Sequence, residues 1–331
     1  MTLAWWMALG APLLTVWAQE AQTPVFQSES ALALVRFHVE RKHSFADDLK
    51  AEDVILLEDG RPRRFTVFEG SVSRTIPVEM ALLFDTSGSV NSEGLLDPLE
   101  YKAALLDKLP GVRLSVYSFN DKLFRHCRPT RDGAELAAAL GQVRDSRSKA
   151  MATAEQLPLT LPHGRKGGPA TWLFEAIMAT ARDGAADARP ATRMLVVFSD
   201  GFPTTSTRPE DAAAVLSELG MPVYPVILGH SHIAARKAEG QLGWPQMAEL
   251  FMADFARLAE LTGGRSFDPP AIDVTIVRQI LGAMAAQALS EYVVGFAPET
   301  SPGGARRHRL EVRVRSKELG TVRGGVRMVV H

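Results

Sequence analysis

The stretch Val78–Val90, VEMALLFDTSGSV, decides the fold. From Met80 to Phe84 it carries no polar side chain, the pattern of a strand buried on both faces of a parallel sheet. The run stops at Asp85, and the hydroxyls of Ser87 and Ser89 follow at every second position. In an open α/β sheet, ligands bind in the crevice beyond the carboxyl ends of the strands. A carboxylate and two alternating hydroxyls there offer three hard oxygens to one point, the ligand chemistry that Mg²⁺ or Mn²⁺ prefers.

Working outward, Leu95 to Leu109 has helical spacing, with Pro98 at a first-turn position. Val112–Phe119 and Lys122–Cys127 read as paired strands joined by an Asn120-Asp121 turn, and Gly133–Val143 as a short helix. Ser146 to Pro169 lacks apolar periodicity and reads as a long loop. A helix over Thr171–Ala186 leads to a second wholly apolar run, Met194–Phe198, which ends on Ser199-Asp200-Gly201. A helix (209–219), a strand (223–228), a helix (246–261), a short edge strand (265–267) and a helix (272–288) follow. This alternation over Pro77–Ala288 predicts a doubly wound, mostly parallel, Rossmann-like α/β sheet.

Small β extensions flank it. Ala31–Val39 is a half-buried strand. Val54–Leu57 and Phe65–Phe68 are predicted to form a hairpin through Asp59-Gly60. Three β-like runs, 292–296, 309–314 and 326–330, close the chain, and the two ends are candidates to share a sheet. The expected organisation is a leader over 1–18, a β segment over 19–76, the α/β domain over 77–288 and a β segment over 289–331.

The D-x-S-x-S pattern at the end of a buried strand resembles the metal-ion-dependent adhesion site of von Willebrand factor type A domains. That site needs two further ligands. Asp200, at the end of the second apolar strand, brings a carboxylate to the same sheet edge. Thr171 lies where a loop enters a helix, so its hydroxyl can reach a ligand above the sheet. Both occupy the family's places for its threonine and second aspartate, so with Asp85, Ser87 and Ser89 all five positions match. Singly, each has an ordinary alternative as a cap or turn residue. Jointly they favour the metal, because two unpaired carboxylates in one crevice repel unless a cation lies between them.

The resemblance implies bound Mg²⁺ or Mn²⁺, with Asp200 acting through water and a partner protein's Asp or Glu carboxylate completing the ion's shell. The layout around the domain also resembles bacterial secreted type A-related proteins. In those a β segment like Glu52-Asp53 to Gly60 precedes the domain and a tail like Tyr292–Phe296 follows it. The last strand departs from that pattern at Arg323–Val326.

Composition narrows the function. The chain has 331 residues and a formal net charge of −1, so no global field recruits nucleic acid. One cysteine, Cys127, excludes an internal disulfide and a cysteine-rich zinc site, and reads as an inert core thiol. Thr2–Ala18 is apolar and uncharged, shorter than the ~20 residues of a membrane span. Small residues at Val16 and Ala18 mark a signal-peptide cleavage site, so the protein is expected to be secreted or periplasmic, with no membrane span after cleavage. An uncleaved anchor is the alternative.

Arg165 and Lys166 lie in a glycine-rich loop that does not match a phosphate-binding loop. With Arg208 they either favour an acidic partner at the rim or are solvated charges. His230-Ser231-His232 reads as a polar loop and Arg306–Arg309 as a solvated turn. With no defensible catalytic pattern, the expected function is a cation-dependent protein-binding module, of undetermined oligomeric state. A metal-assisted hydrolase and a structural domain with a vestigial site are the alternatives.

Overall fold

The computed structural model describes residues 33–330 apart from 43, 71–75, 89, 91–93, 146–153, 161–170, 188, 190, 231–232, 234–243 and 299–305. The leader, Ser89, Arg165, Lys166 and His232 therefore lie outside the described residues. The chain enters through β1 (Ala33–Arg41), β2 (Ser44–Phe45), β3 (Val54–Glu58), β4 (Arg61–Arg63) and β5 (Val67–Glu69). Asp59 and Gly60 have φ of 48° and 79°, the left-handed pair that a two-residue hairpin requires. The hairpin is there, but its second strand is Arg61–Arg63, not Phe65–Phe68. Pro62 lacks an N–H and is tolerated because β4 lies at a sheet edge. The β5 strand instead pairs antiparallel with residues 293–295, far along the chain.

The central region runs β6 (Val78–Asp85), α1 (Pro98–Tyr101), β7 (Arg113–Phe119), β8 (Leu123–Thr130), α2 (Gly133–Asp145), β9 (Glu155–Leu157), α3 (Leu173–Ala185), β10 (Thr192–Ser199), α4 (Pro209–Leu219), β11 (Val223–Ile227), α5 (Trp244–Thr262) and α6 (Val274–Leu289). The six strands lie in the order β11-β10-β6-β7-β8-β9. Those from β11 to β7 are parallel, and β8 and β9 extend the sheet antiparallel. The doubly wound, mostly parallel sheet expected from the alternation is present. Glu155–Leu157, inside the stretch that reads as a loop, forms a strand; three residues are too few to show a period of two.

Helix α1 starts where Pro98 predicts, capped by Asp97, whose carboxylate accepts from the Leu99 amide at 3.0 Å. It continues as a π turn over Lys102–Leu106.

Every residue of β6 is buried, and its side chains divide by period two. Met80, Leu82 and Phe84 enter one core with Leu105, Leu140 of α2 and Leu281 of α6. Ala81 and Leu83 enter the other with Leu173 of α3, Leu216 of α4 and Phe255 of α5. Helices therefore cover both faces, which leaves the ends of the strands as the open part of the sheet.

The chain leaves through β12 (Tyr292–Phe296), β13 (Arg307–Val314), β14 (Thr321–Gly324) and β15 (Val326–Val330). These interleave with the N-terminal strands. One sheet runs β14-β1-β12-β5 with β2 beside β1, and another runs β15-β13-β3-β4. Between them lies a third core, including Phe37, Leu56, Tyr292, Val294 and Leu310. The strict alternation of β13 buries Leu310 and Val312 and exposes Arg309 and Arg313. Among the described residues no helix is long and apolar enough to cross a membrane.

Candidate metal centre

The register of the two apolar strands sets the site. Phe84 of β6 lies beside Phe198 of β10 in parallel register, and their rings stack at 4.7 Å between centroids. The next residues, Asp85 and Ser199-Asp200, therefore leave the sheet together at its carboxyl edge. From β6 the chain passes to β7 on one side, while β10 lies on the other. The pair thus sits where the connections diverge, the usual position of a ligand crevice.

Asp85 and Asp200 are only 2% and 1% exposed. Burial, followed by the charge of Asp200, pushes the Asp85 carboxyl up to about 7. Hydrogen bonds from Ser87 and Ser199 oppose that rise. The Ser87 amide donates to Asp85 Oδ1 at 2.8 Å, and Ser199 Oγ donates to Oδ2 at 2.7 Å. Ser199 Oγ in turn accepts from the Gly201 amide at 3.1 Å. Asp200 Oδ1 accepts from the Phe202 amide at 3.2 Å. Gly201 has φ of 82°, and a Cβ there would meet Phe255 at 3.3 Å, so this turn out of β10 favours glycine.

Thr86 turns its amide and hydroxyl to the Phe119 carbonyl at 2.8 and 3.0 Å, leaving the alternate position, Ser87, beside Asp85. Thr171 is 8% exposed. Its amide donates to Thr204 Oγ1 at 3.0 Å, and the Thr204 amide donates to the Thr171 carbonyl at 3.0 Å. The next amide, Trp172, donates to the Asn120 carbonyl at 3.1 Å. The Thr171 backbone is thereby fastened both to the loop after Asp200 and to the β7–β8 turn. Four of the five expected ligands thus lie in these connected segments; the fifth, Ser89, is outside the described residues. Two buried carboxylates with hydroxyl neighbours form an oxygen-only donor set suited to a hard divalent cation.

The sequence model of the von Willebrand factor type A domain matches residues 79–239. Those residues form a von Willebrand factor type A domain. No curated protein matches the chain. Among solved structures, the chain is similar to the conserved hypothetical protein BatB from Bacteroides thetaiotaomicron, with 14% identity, a TM-score of 0.42, and cover of 64% of this chain and 98% of that one. It is also similar to the manganese-loaded TRAP protein of Plasmodium vivax, with 12% identity, a TM-score of 0.38, and cover of 83% and 97%. Proximal thread matrix protein 1 from the mussel byssus has 13% identity and a TM-score of 0.37, with 66% of this chain and 47% of that one covered. The chain thus spans about half the length of the thread matrix protein.

Two residues that support the type A domain's crevice carry no distinctive sequence signal of that role. Ser199 reads as part of a strand-terminal turn, yet its hydroxyl joins β10 to Asp85 of β6. Glu175, buried in the first turn of α3, accepts from Thr205 Oγ1 at 3.1 Å and Thr207 Oγ1 at 2.5 Å. Its only general cue is an acid on the apolar face of a helix, which needs partners when buried.

The other candidates lie in ion pairs. Arg208 pairs with Asp211 at the start of α4, at 3.4 Å. His230 Nε2 lies 2.6 Å from Asp268. In the basic run, Arg307 pairs with Glu218, His308 with Asp59 and Arg309 with Glu311.

Proposed function

We propose that the crevice at the ends of β6 and β10 holds Mg²⁺ or Mn²⁺, and that the ion accepts an Asp or Glu carboxylate from a partner protein. The protein is on this reading a non-catalytic, cation-dependent binding module working outside the cytoplasm. The juxtaposition of Asp85 and Asp200 carries the reading: two buried carboxylates in one crevice repel, and a cation between them removes the repulsion. Asp85, Ser87, Ser89, Thr171 and Asp200 would hold the ion, with Asp200 acting through water as the type A resemblance implies. When bound, the ion supplies residual positive charge and an open position for a hard anion.

The chain's own residues prepare that position. Ser199 and the Ser87 amide orient Asp85, Thr204 fastens the Thr171 segment, and Glu175 steadies the rim through Thr205 and Thr207. Export follows from reading Thr2–Ala18 as a cleaved leader; an uncleaved leader would leave the module tethered.

Calorimetric titration of the purified chain with Mg²⁺ and Mn²⁺, beside Asp85→Ala, tests the site. Saturable one-site binding lost in the variant is expected. Binding unchanged in Asp85→Ala would overturn the ligand assignment, and no binding by the wild type would leave a vestigial site.

A further inference from the structure

A second buried cluster has the opposite charge imbalance. It lies between the small β sheets and α4, where a cavity of about 30 Å³ is lined by Leu34, Arg36, Glu291, Gly220, Thr262 and Arg327, among others. A water needs roughly 10–15 Å³, so the space is that of two or three waters. The Arg36 side chain is 8% exposed and that of Glu291 4%, with Arg36 Nε 3.0 Å from Glu291 Oε1. Arg36 also donates to the Arg193 carbonyl. Arg327 donates to the carbonyls of Leu34, at 2.6 Å, and Glu218, at 3.4 Å. Arg36 thus pairs with Glu291, whereas Arg327, lining the same cavity, has no ion pair among the described residues. Arg36 Nη2 and Arg327 Nε are buried and have no hydrogen-bond partner among the described residues.

Buried donors without partners and a buried charge without a counter-charge are both costly. Burial, followed by the charge of Arg36, pushes Arg327 down to about 10, the direction expected of neighbouring like charges. Arg327 still keeps its proton at neutral pH, so a bound anion is what balances the charge. The approach is close, since a Cβ on Gly220 would meet the Arg327 guanidinium at 2.8 Å.

We infer that this cavity is an anion site, in which Arg36 and Arg327 hold one small monovalent anion, chloride or an oxyanion of formate size. The planar guanidinium fork suits either, and favours the oxyanion where two donors reach it together. Because β1 and β15 supply the arginines and α4 forms the opposite wall, the anion ties the flanking sheets to the α/β domain. The site is independent of the proposed cation site.

The test is thermal unfolding of the full chain in EDTA at constant ionic strength, exchanging sodium gluconate for sodium chloride or sodium formate. Gluconate is too large for the cavity. A saturable rise of roughly 2–5 °C with chloride or formate, absent in gluconate, is expected. The chloride and formate arms distinguish the two sources. Arg327→Met keeps an apolar stem, removes the charge and should abolish the anion dependence. Equal behaviour in all three salts, or unchanged dependence in Arg327→Met, would overturn the site. If that variant does not fold, a bromide-soaked crystal of the wild type decides: anomalous density is expected in the cavity, and an empty cavity overturns the inference.

Discussion

At the residue scale, the arrangement around Asp85 shows how neutral side chains manage a charge they do not cancel. Ser199 donates to one carboxylate oxygen and the Ser87 amide to the other, so the group is oriented even though burial and Asp200 act against its ionisation. Groups that orient a metal ligand typically contribute 10- to 100-fold in affinity. Ser199→Ala is therefore expected to weaken Mg²⁺ binding by roughly tenfold or more in the same titration; unchanged affinity would remove Ser199 from the site. Cys127 makes a different prediction. Burial pushes its thiol up to about 12, so at pH 8 almost no thiolate is present to react. Mass spectrometry after iodoacetamide treatment at pH 8 should show no native modification and complete modification in denaturant. Rapid native labelling would show the thiol to be accessible.

At the element scale, the parallel pairing of β6 with β10 delivers both acids, and the stacked pair Phe84 and Phe198 sits one residue before Asp85 and two before Asp200. Tyr101 from α1 meets both rings edge-on, at 6.2 and 6.5 Å, and anchors its hydroxyl on the Leu95 carbonyl at 2.9 Å. Core phenylalanine truncation typically costs about 3–5 kcal/mol. Phe198→Ala is expected to lower stability by about that amount in urea unfolding and to weaken ion binding in parallel, because the strand ends carry the acids. A loss of stability with unaltered ion affinity would show the edge to be positioned independently of this layer.

At the scale of the whole molecule, the two ends of the chain make one structure. The β1 strand lies between β12 and β14, and β13 lies between β15 and β3, so neither end has a complete sheet without the other. Leu310, Val312 and Val329 are nearly fully buried, each stabilising by about 1.5–3 kcal/mol against a net stability of roughly 5–15 kcal/mol for a typical protein. A chain ending at residue 305 is therefore expected to unfold at a markedly lower temperature in calorimetry; an unchanged transition would make the flanking sheets a separate unit. The α/β class is legible from the residues alone, because a strand buried on both faces must be apolar throughout, as 80–84 and 194–198 are. Also legible are the points where those strands stop, since Asp85 and Asp200 end the apolar runs, and where α1 begins, since Pro98 is tolerated only at a first turn. What Val67–Glu69 pairs with, that Glu155–Leu157 joins the sheet, that Ser199 reaches Asp85, and that Arg36 and Arg327 line one cavity emerge only from the tertiary fold. Strand partners and buried ionic contacts depend on residues tens to hundreds of positions apart, and local periodicity carries no information about which distant segments meet.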